Sequence, residues 1–330
     1  LLAMVFLFTI LSISAYAVVE PYKPYLHKAV VPEHPKLLTS GTSTQLLFTG
    51  EEQFTYPIIL PPGTNRLQPT LELSYESHRT ADKQTVVGTG WKITDNYIAT
   101  NVNYTIYNLS DDYYELVLNG VKYPLVYVPA ENRFHTQRES FLFIENKTGA
   151  SNGAASGTYW LVRTKDGTQY RFGFTTDSTQ IHNATTQVVS RWSLDLVNDT
   201  HENQVYYTYL ENPFPVDASA VYLHKIEYNA DRKRVVNFVY ETANRPDLLQ
   251  TYDNGALMNE SRRLKEIFIT ADSSLVRRYV IEYANISNIQ RASIANITLY
   301  GSDNSTTLPA VKFSYYTPEP GWHQNSIWNM

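Results

Sequence analysis

The chain has 330 residues, 43% of them hydrophobic and 18% charged, with a formal net charge of −5. That excludes wholesale disorder and leaves room for one large all-β domain or two ordinary domains. The mild acidity argues against nucleic acid as a partner, and the absence of cysteine excludes a disulfide framework, thiol catalysis and zinc–thiolate sites.

Leu1 to Ala17 reads as a signal peptide. Its apolar stretch, Leu1 to Ile13, is shorter than the roughly 20 residues of a membrane-spanning helix. It ends in Ala15-Tyr16-Ala17, an A-x-A cleavage pattern. The initiator Met and basic start are missing, so the signal is expected to be truncated; a retained anchor is the alternative. Either way the rest of the chain is expected outside the cytoplasm, secreted or at the cell surface, and once the signal is cleaved no membrane span is expected. Residues 18–43 carry Pro21, Pro24, Pro32 and Pro35 without periodicity and read as an extended leader.

From about Thr44 the pattern turns to short alternating runs. Tyrosine is abundant, 26 residues beside 13 Phe, which suits half-buried pleated surfaces. In Thr70 to Glu76, Leu71, Leu73 and Tyr75 share one face. Tyr114, Leu116 and Leu118 lead into Asn119-Gly120, then Tyr123 and Leu125, which predicts a hairpin with a type I′ turn. Trp160 to Arg163, Asp166-Gly167, Tyr170 and Phe172 repeat the device. Further strands are expected at Gln204 to Tyr209, Val235 to Tyr240, Leu264 to Ile269, Tyr279 to Tyr283 and Val311 to Tyr315, with one short helix near Pro246 to Tyr252. The expected fold is all-β: many short antiparallel strands and hairpins forming a β-sandwich or a shell-like sheet, with very little helix. One domain is expected over residues 44–316. Residues 317–330, after the breaker cluster Thr317 to Gly321, read as the start of a following, truncated module.

The run from Gly50 to Trp91 carries the most specific motif. It contains Gly50, Tyr56-Pro57-Ile58, Pro61-Pro62-Gly63, Leu67-Gln68-Pro69, Ser74-Tyr75-Glu76-Ser77 and Gly88-Thr89-Gly90-Trp91. In order and spacing these elements resemble the N-terminal domain of the SpvB family, the Salmonella virulence plasmid B protein, which is shared with the B subunit of Tc insecticidal toxin complexes and related to RHS-repeat proteins. Downstream likeness includes Asp166-Gly167-Thr168, Trp192-Ser193-Leu194, Phe238 to Glu241 and Arg245-Pro246-Asp247. The charged segment His78 to Thr85 departs from the short glycine-rich turn usual in the family.

The matched residues are structural in kind: Pro61 and Pro62 fix φ, Gly63 is free to take a positive φ, and Gly88 and Gly90 permit close approach beside Trp91. The resemblance therefore implies a non-catalytic module of a secreted toxin-like or RHS-type protein, contributing to assembly or to encapsulation and delivery of a toxic cargo. Its implied partners are other domains of the same longer chain (a propeller or repeat module, RHS repeats) and toxin-complex subunits. The alternative is a cell-envelope adhesin or glycan-binding module, with sugars stacking on tyrosines such as Tyr206, Tyr207 and Tyr209.

Catalytic, cofactor-binding and metal sites are not expected. Gly149 to Gly153 fits G-x-S-x-G around Ser151, but that motif requires a strand before and a helix after, and a strand pattern follows instead. None of the eight histidines pairs at i+2 or i+4, so no local zinc motif exists. Asp111-Asp112 and Asp303 to Ser305 read as solvated turns, not calcium loops. The Glu-x-Glu of the separate ADP-ribosyltransferase domain carried by some SpvB proteins is absent. Nine N-x-S/T sequons, at Asn103, Asn108, Asn146, Asn183, Asn198, Asn259, Asn285, Asn296 and Asn304, are candidate N-glycosylation acceptors in an archaeal or eukaryotic envelope; an unglycosylated bacterial protein is the other reading.

Overall fold

A computed structural model describes residues 41–46, 51–78, 84–101, 112–181, 189–248, 250–253, 256–286 and 291–315. The expected signal peptide, nearly all of the expected leader, Gly50, the sequons at Asn103, Asn108 and Asn183, and the tail from residue 316 lie outside them. The regular structure of the described residues is β strand, apart from 3₁₀ residues at Thr64–Arg66 and at Ser77 and His78. None of their helices is long and apolar enough to cross a membrane.

A four-stranded antiparallel sheet runs in chain order: β1 (Thr42–Leu46), β2 (Glu51–Pro57), β3 (Glu72–Glu76) and β4 (Trp91–Ile93). The alternation read from the sequence is realised here, with Leu71 and Leu73 buried and Tyr75 packed on the same core.

A large sheet then starts as a meander of β5 (Tyr97–Asn101), β6 (Tyr113–Leu118), β7 (Val121–Val128), β8 (Arg133–Thr136), β9 (Phe143–Lys147), β10 (Tyr159–Arg163) and β11 (Gln169–Phe172). After β12 (Thr179–Ile181), the ten-residue β13 (Val189–Asn198) closes it. Its first half pairs with β5, Arg191 opposite Ala99 and Ser193 opposite Tyr97. Its second half pairs with β11, from Leu194 opposite Phe172 to Asn198 opposite Gln169. Strands β5 to β11 and β13 thus form a closed eight-stranded barrel. This corrects the sandwich alternative: the sheet curls on itself as a shell instead of stacking in two layers. Eight strands leave an interior that side chains can fill. Tyr114 of β6 and Trp160 of β10 are not on neighbouring strands, yet their rings lie 4.8 Å apart. Phe134 (4.9 Å) and Trp192 (5.9 Å) complete the packing around Trp160.

Past the β5 pairing, Leu196–Asn198 of β13 also pair with β14, and the sheet continues as an open one of β14 (Gln204–Glu211), β15 (Val221–Tyr228), β16 (Arg234–Tyr240), β19 (Leu264–Ala271), β20 (Ser274–Ile286), β21 (Arg291–Tyr300) and β22 (Val311–Lys312). A separate two-stranded ribbon pairs β17 (Thr251–Asp253) with β18 (Ala256–Met258). The helix expected at Pro246 to Tyr252 is not formed: Pro246 and Asp247 sit in a turn, and β17 follows. Buried polar ties on Arg245 and Asp247, described below, hold that turn.

Both predicted hairpins form, with different turns. Between β6 and β7, Asn119 (φ 51°) and Gly120 (φ 79°) are both left-handed, as a type I′ turn requires. Between β10 and β11 the connection is a longer loop in which Thr164 N–H bonds to Thr168 O (3.0 Å), and the Asp166 carboxylate accepts from Thr168 N–H (3.1 Å). A local side-chain acceptor replaces the second left-handed residue there.

Candidate functional site

The family-motif residues converge on the seam between the small sheet and the open half of the large one. Trp91, the first residue of β4, is 2% exposed. Its ring meets Phe313 (4.8 Å), Tyr75 (5.4 Å) and Phe54 (6.1 Å), and its Nε1 donates to Tyr315 Oη at 2.7 Å. Tyr315 in turn donates to Ile294 O (2.5 Å) of β21. An amphipathic ring therefore has both its apolar body and its single donor satisfied.

The loop before Trp91 can approach β21 because it carries glycine. Gly88 (φ 91°) and Gly90 (φ 77°) are left-handed. A Cβ on Gly88 would stand 2.8 Å from Ala292 O, and one on Gly90 would stand 2.6 Å from Tyr75 Cε2. Between them Thr89 N–H bonds to Ala292 O (2.8 Å), and Ser293 Oγ donates to Thr89 O (2.9 Å).

A buried ion pair fastens the same loop. Arg245 and Asp247 are 1% and 2% exposed and meet through Nε–Oδ1 (2.9 Å) and Nη2–Oδ2 (3.3 Å). Arg245 Nη1 also donates to Thr85 O (3.0 Å). The Asp247 carboxylate accepts from Gln84 Nε2 (3.0 Å) and Ala292 N–H (2.7 Å). Burial pushes the Asp247 pKa up, but the bonds from Arg245 and Ala292 outweigh it and hold it below the ordinary carboxylate value. Two motif pieces some 160 residues apart in the chain, Gly88 to Trp91 and Arg245-Pro246-Asp247, are thereby one site.

The remaining motif residues shape the connection from β2 to β3. Pro57 pairs with Glu72, Pro61 O accepts from Tyr228 Oη (2.6 Å), and Pro62 is exposed. Gly63 has φ −87°, not the left-handed value that glycine makes available; glycine is needed because a Cβ there would lie 1.9 Å from Leu67 O. Pro69 is buried, and Ser74 pairs with Lys92 across β3 and β4.

Ser151 is exposed in the loop between β9 and β10, with no helix after it. Next to it Asn152 is fully buried, and its Nδ2 donates to Thr158 O (2.7 Å) and Gly173 O (2.5 Å). Asp303 makes a local turn, accepting from Ser305 N–H (3.1 Å) and Thr306 N–H (2.9 Å). Among the described sequons, Asn146, Asn285 and Asn304 are exposed, and Asn198 and Asn296 are half-buried. Asn259 is buried and exchanges backbone bonds with Ala218 (2.9 and 3.2 Å). On β14, Val205, Tyr207 and Tyr209 face the core, and Tyr206 lies outside beneath the Arg232 guanidinium (3.6 Å). The open tyrosine of that strand is Tyr206, not Tyr207.

One cluster escaped the sequence reading. Glu51, Glu76 and His78 bring their ligand atoms within 4.8 Å of one another. Their signal is the register of β2 on β3, invisible to a search for histidine pairs along the chain.

Residues 127–261 match the family described as Salmonella virulence plasmid 65kDa B protein, SpvB. That stretch lies downstream of the Gly50–Trp91 motif run. No curated protein sequence matches the chain. Solved structures share its fold. The TcdB2-TccC3 crystal structure matches at 16% identity and TM-score 0.68, covering 84% of this chain and 17% of that one. The Photorhabdus luminescens Tc holotoxin pore matches at 16% identity and TM-score 0.66, with 84% and 16% covered. The N-terminal domain of effector protein SpvB from Salmonella typhimurium strain LT2 matches at 15% identity and TM-score 0.56, with 74% and 98% covered. The chain thus spans about one-sixth of the Tc toxin chains that it matches, and nearly all of the SpvB N-terminal domain.

Proposed function

We propose, from the SpvB match at residues 127–261 and the fold shared with Tc toxin chains, that this chain is a non-catalytic β-shell module of a longer, secreted or cell-surface toxin-like polypeptide. Its role is to build the assembly that encloses and delivers a cargo. The observation that supports this most directly is the use of the motif residues: Gly88, Gly90, Trp91, Arg245 and Asp247 all serve the packing of one sheet on another. A site built wholly of packing and buried pairing suits a wall better than a catalyst.

The enclosing role is tested by limited proteolysis of the longer polypeptide with and without residues 42–315. Deletion is expected to expose downstream segments that the parent protects. Equal protection in the two proteins overturns the role. The non-catalytic part is tested by Ser151→Ala. Because Ser151 is exposed in a loop, its removal should change stability by less than about 0.5 kcal/mol and leave any measured activity intact. Esterase activity in the parent that this variant loses would overturn it.

A further inference from the structure

The cluster at the far end of β2 and β3 suits a ligand that the packing role does not use. Gln53 stands opposite Glu76 as the last pair of the antiparallel ladder, and the 3₁₀ turn that follows β3 brings His78 to Glu51. Glu52 N–H extends the ladder to Ser77 Oγ (3.0 Å). Glu51 is only 8% exposed, whereas the His78 side chain is 63% exposed, and His78 Nδ1 lies 2.5 Å from Glu51 Oε1. One carboxylate is thus fixed at the base, a second stands beside it, and an imidazole closes over them from the solvent side.

We propose that Glu51, Glu76 and His78 bind one divalent cation of the zinc class through a ring nitrogen and two carboxylate oxygens. Imidazole with carboxylate favours borderline transition metals, whereas calcium and magnesium prefer oxygen alone. Three protein ligands leave an outward position for water. The ion would clamp the open end of the β2–β3 hairpin, at the opposite end of β3 from the Pro61-Pro62-Gly63 connection. Lys92 is its competitor: Nζ lies 2.8 Å from Glu76 Oε1, so the metal must share or displace that contact. Gln53 Nε2, 3.4 Å from Glu51 Oε1, is placed to orient the buried ligand. The inference is independent of the toxin reading and survives or fails without it.

The test is calorimetric titration of the chelator-treated chain with zinc chloride and, separately, calcium chloride, with melts of every variant before metal is added. The parent is expected to take up one zinc ion at this site. His78→Ala, which truncates an exposed side chain, and Glu76→Gln should each weaken it by at least about tenfold. Lys92→Met should tighten it. Zinc uptake that is absent in the parent, or unchanged in His78→Ala, overturns the proposal, as does tighter binding of calcium than of zinc.

Discussion

Trp91→Ala is expected to cost the fold about 3–5 kcal/mol, the range for deleting a fully enclosed large aromatic. The ring is 2% exposed and lies within 6.1 Å of three other aromatic rings, so its removal leaves a cavity lined by Phe54, Tyr75 and Phe313. The neighbours that could collapse into that space are themselves pinned, Phe313 by its N–H bond to Ala295 O (2.8 Å) and Tyr75 by its ladder contacts to Phe54 and Trp91. Thermal melts should show a fall on the order of 10 °C. Two controls separate packing from hydrogen bonding. Trp91→Phe keeps an aromatic body and loses the bond to Tyr315. Tyr315→Phe keeps the indole but leaves its buried N–H unmet, at about 1–3 kcal/mol. A Trp91→Ala protein that melts like the parent would show that the seam opens in solution and that the ring is available to a ligand.

Asp247→Ala is expected to be comparably severe, about 3–5 kcal/mol, because it strands the Arg245 guanidinium at 1% exposure. It also removes the acceptor for Gln84 and for Ala292 N–H. Replacing both charges together, Arg245→Met with Asp247→Leu, should recover part of the loss, since most of the cost comes from leaving one buried charge uncompensated. The pair also sets a pH dependence. The folded Asp247 pKa is depressed, so its contribution is complete above the ordinary carboxylate value and is lost as pH falls through the folded one. Denaturant titrations at about pH 7 and about pH 3 should show a smaller acid loss in Asp247→Asn than in the parent. Equal losses would remove Asp247 from the acid limb. Asp195 works in the opposite sense. Fully buried beside Arg171 (2.6 Å), it has its pKa raised because desolvation outweighs that partner, so its protonation in mild acid favours the fold.

What was legible in the sequence is what short segments decide alone. Asn119-Gly120 specifies its turn by the φ values those two residues tolerate, and Leu71, Leu73 and Tyr75 specify a face by period. The Gly88-x-Gly90-Trp91 spacing carried the close approach, because lacking a Cβ is a property of the residue itself. Barrel closure was not legible. Nothing within β5 names β13 as its partner, since Ser193 opposite Tyr97 is a pairing across almost a hundred residues. The same distance hid the Arg245–Asp247 tie to Thr85, so Pro246 to Tyr252 read as a helix when its polar ends were committed elsewhere. Glu51, Glu76 and His78 are not legible for a related reason: Glu76 and His78 are two residues apart, but Glu51 reaches them only through the pairing of β2 with β3.

The double pairing of β13 also orders events during synthesis. Strands β5 to β11 are complete when residue 172 has been made, but the strand that seals them ends at Asn198. Until then the nascent meander carries two unpaired edges, templates for association with neighbouring chains. A nascent chain that has emerged from the ribosome only as far as β11 presents an open, adhesive ribbon. One that has emerged beyond Asn198 can seal the cylinder, to which β14, β15 and β16 then add as successive hairpins.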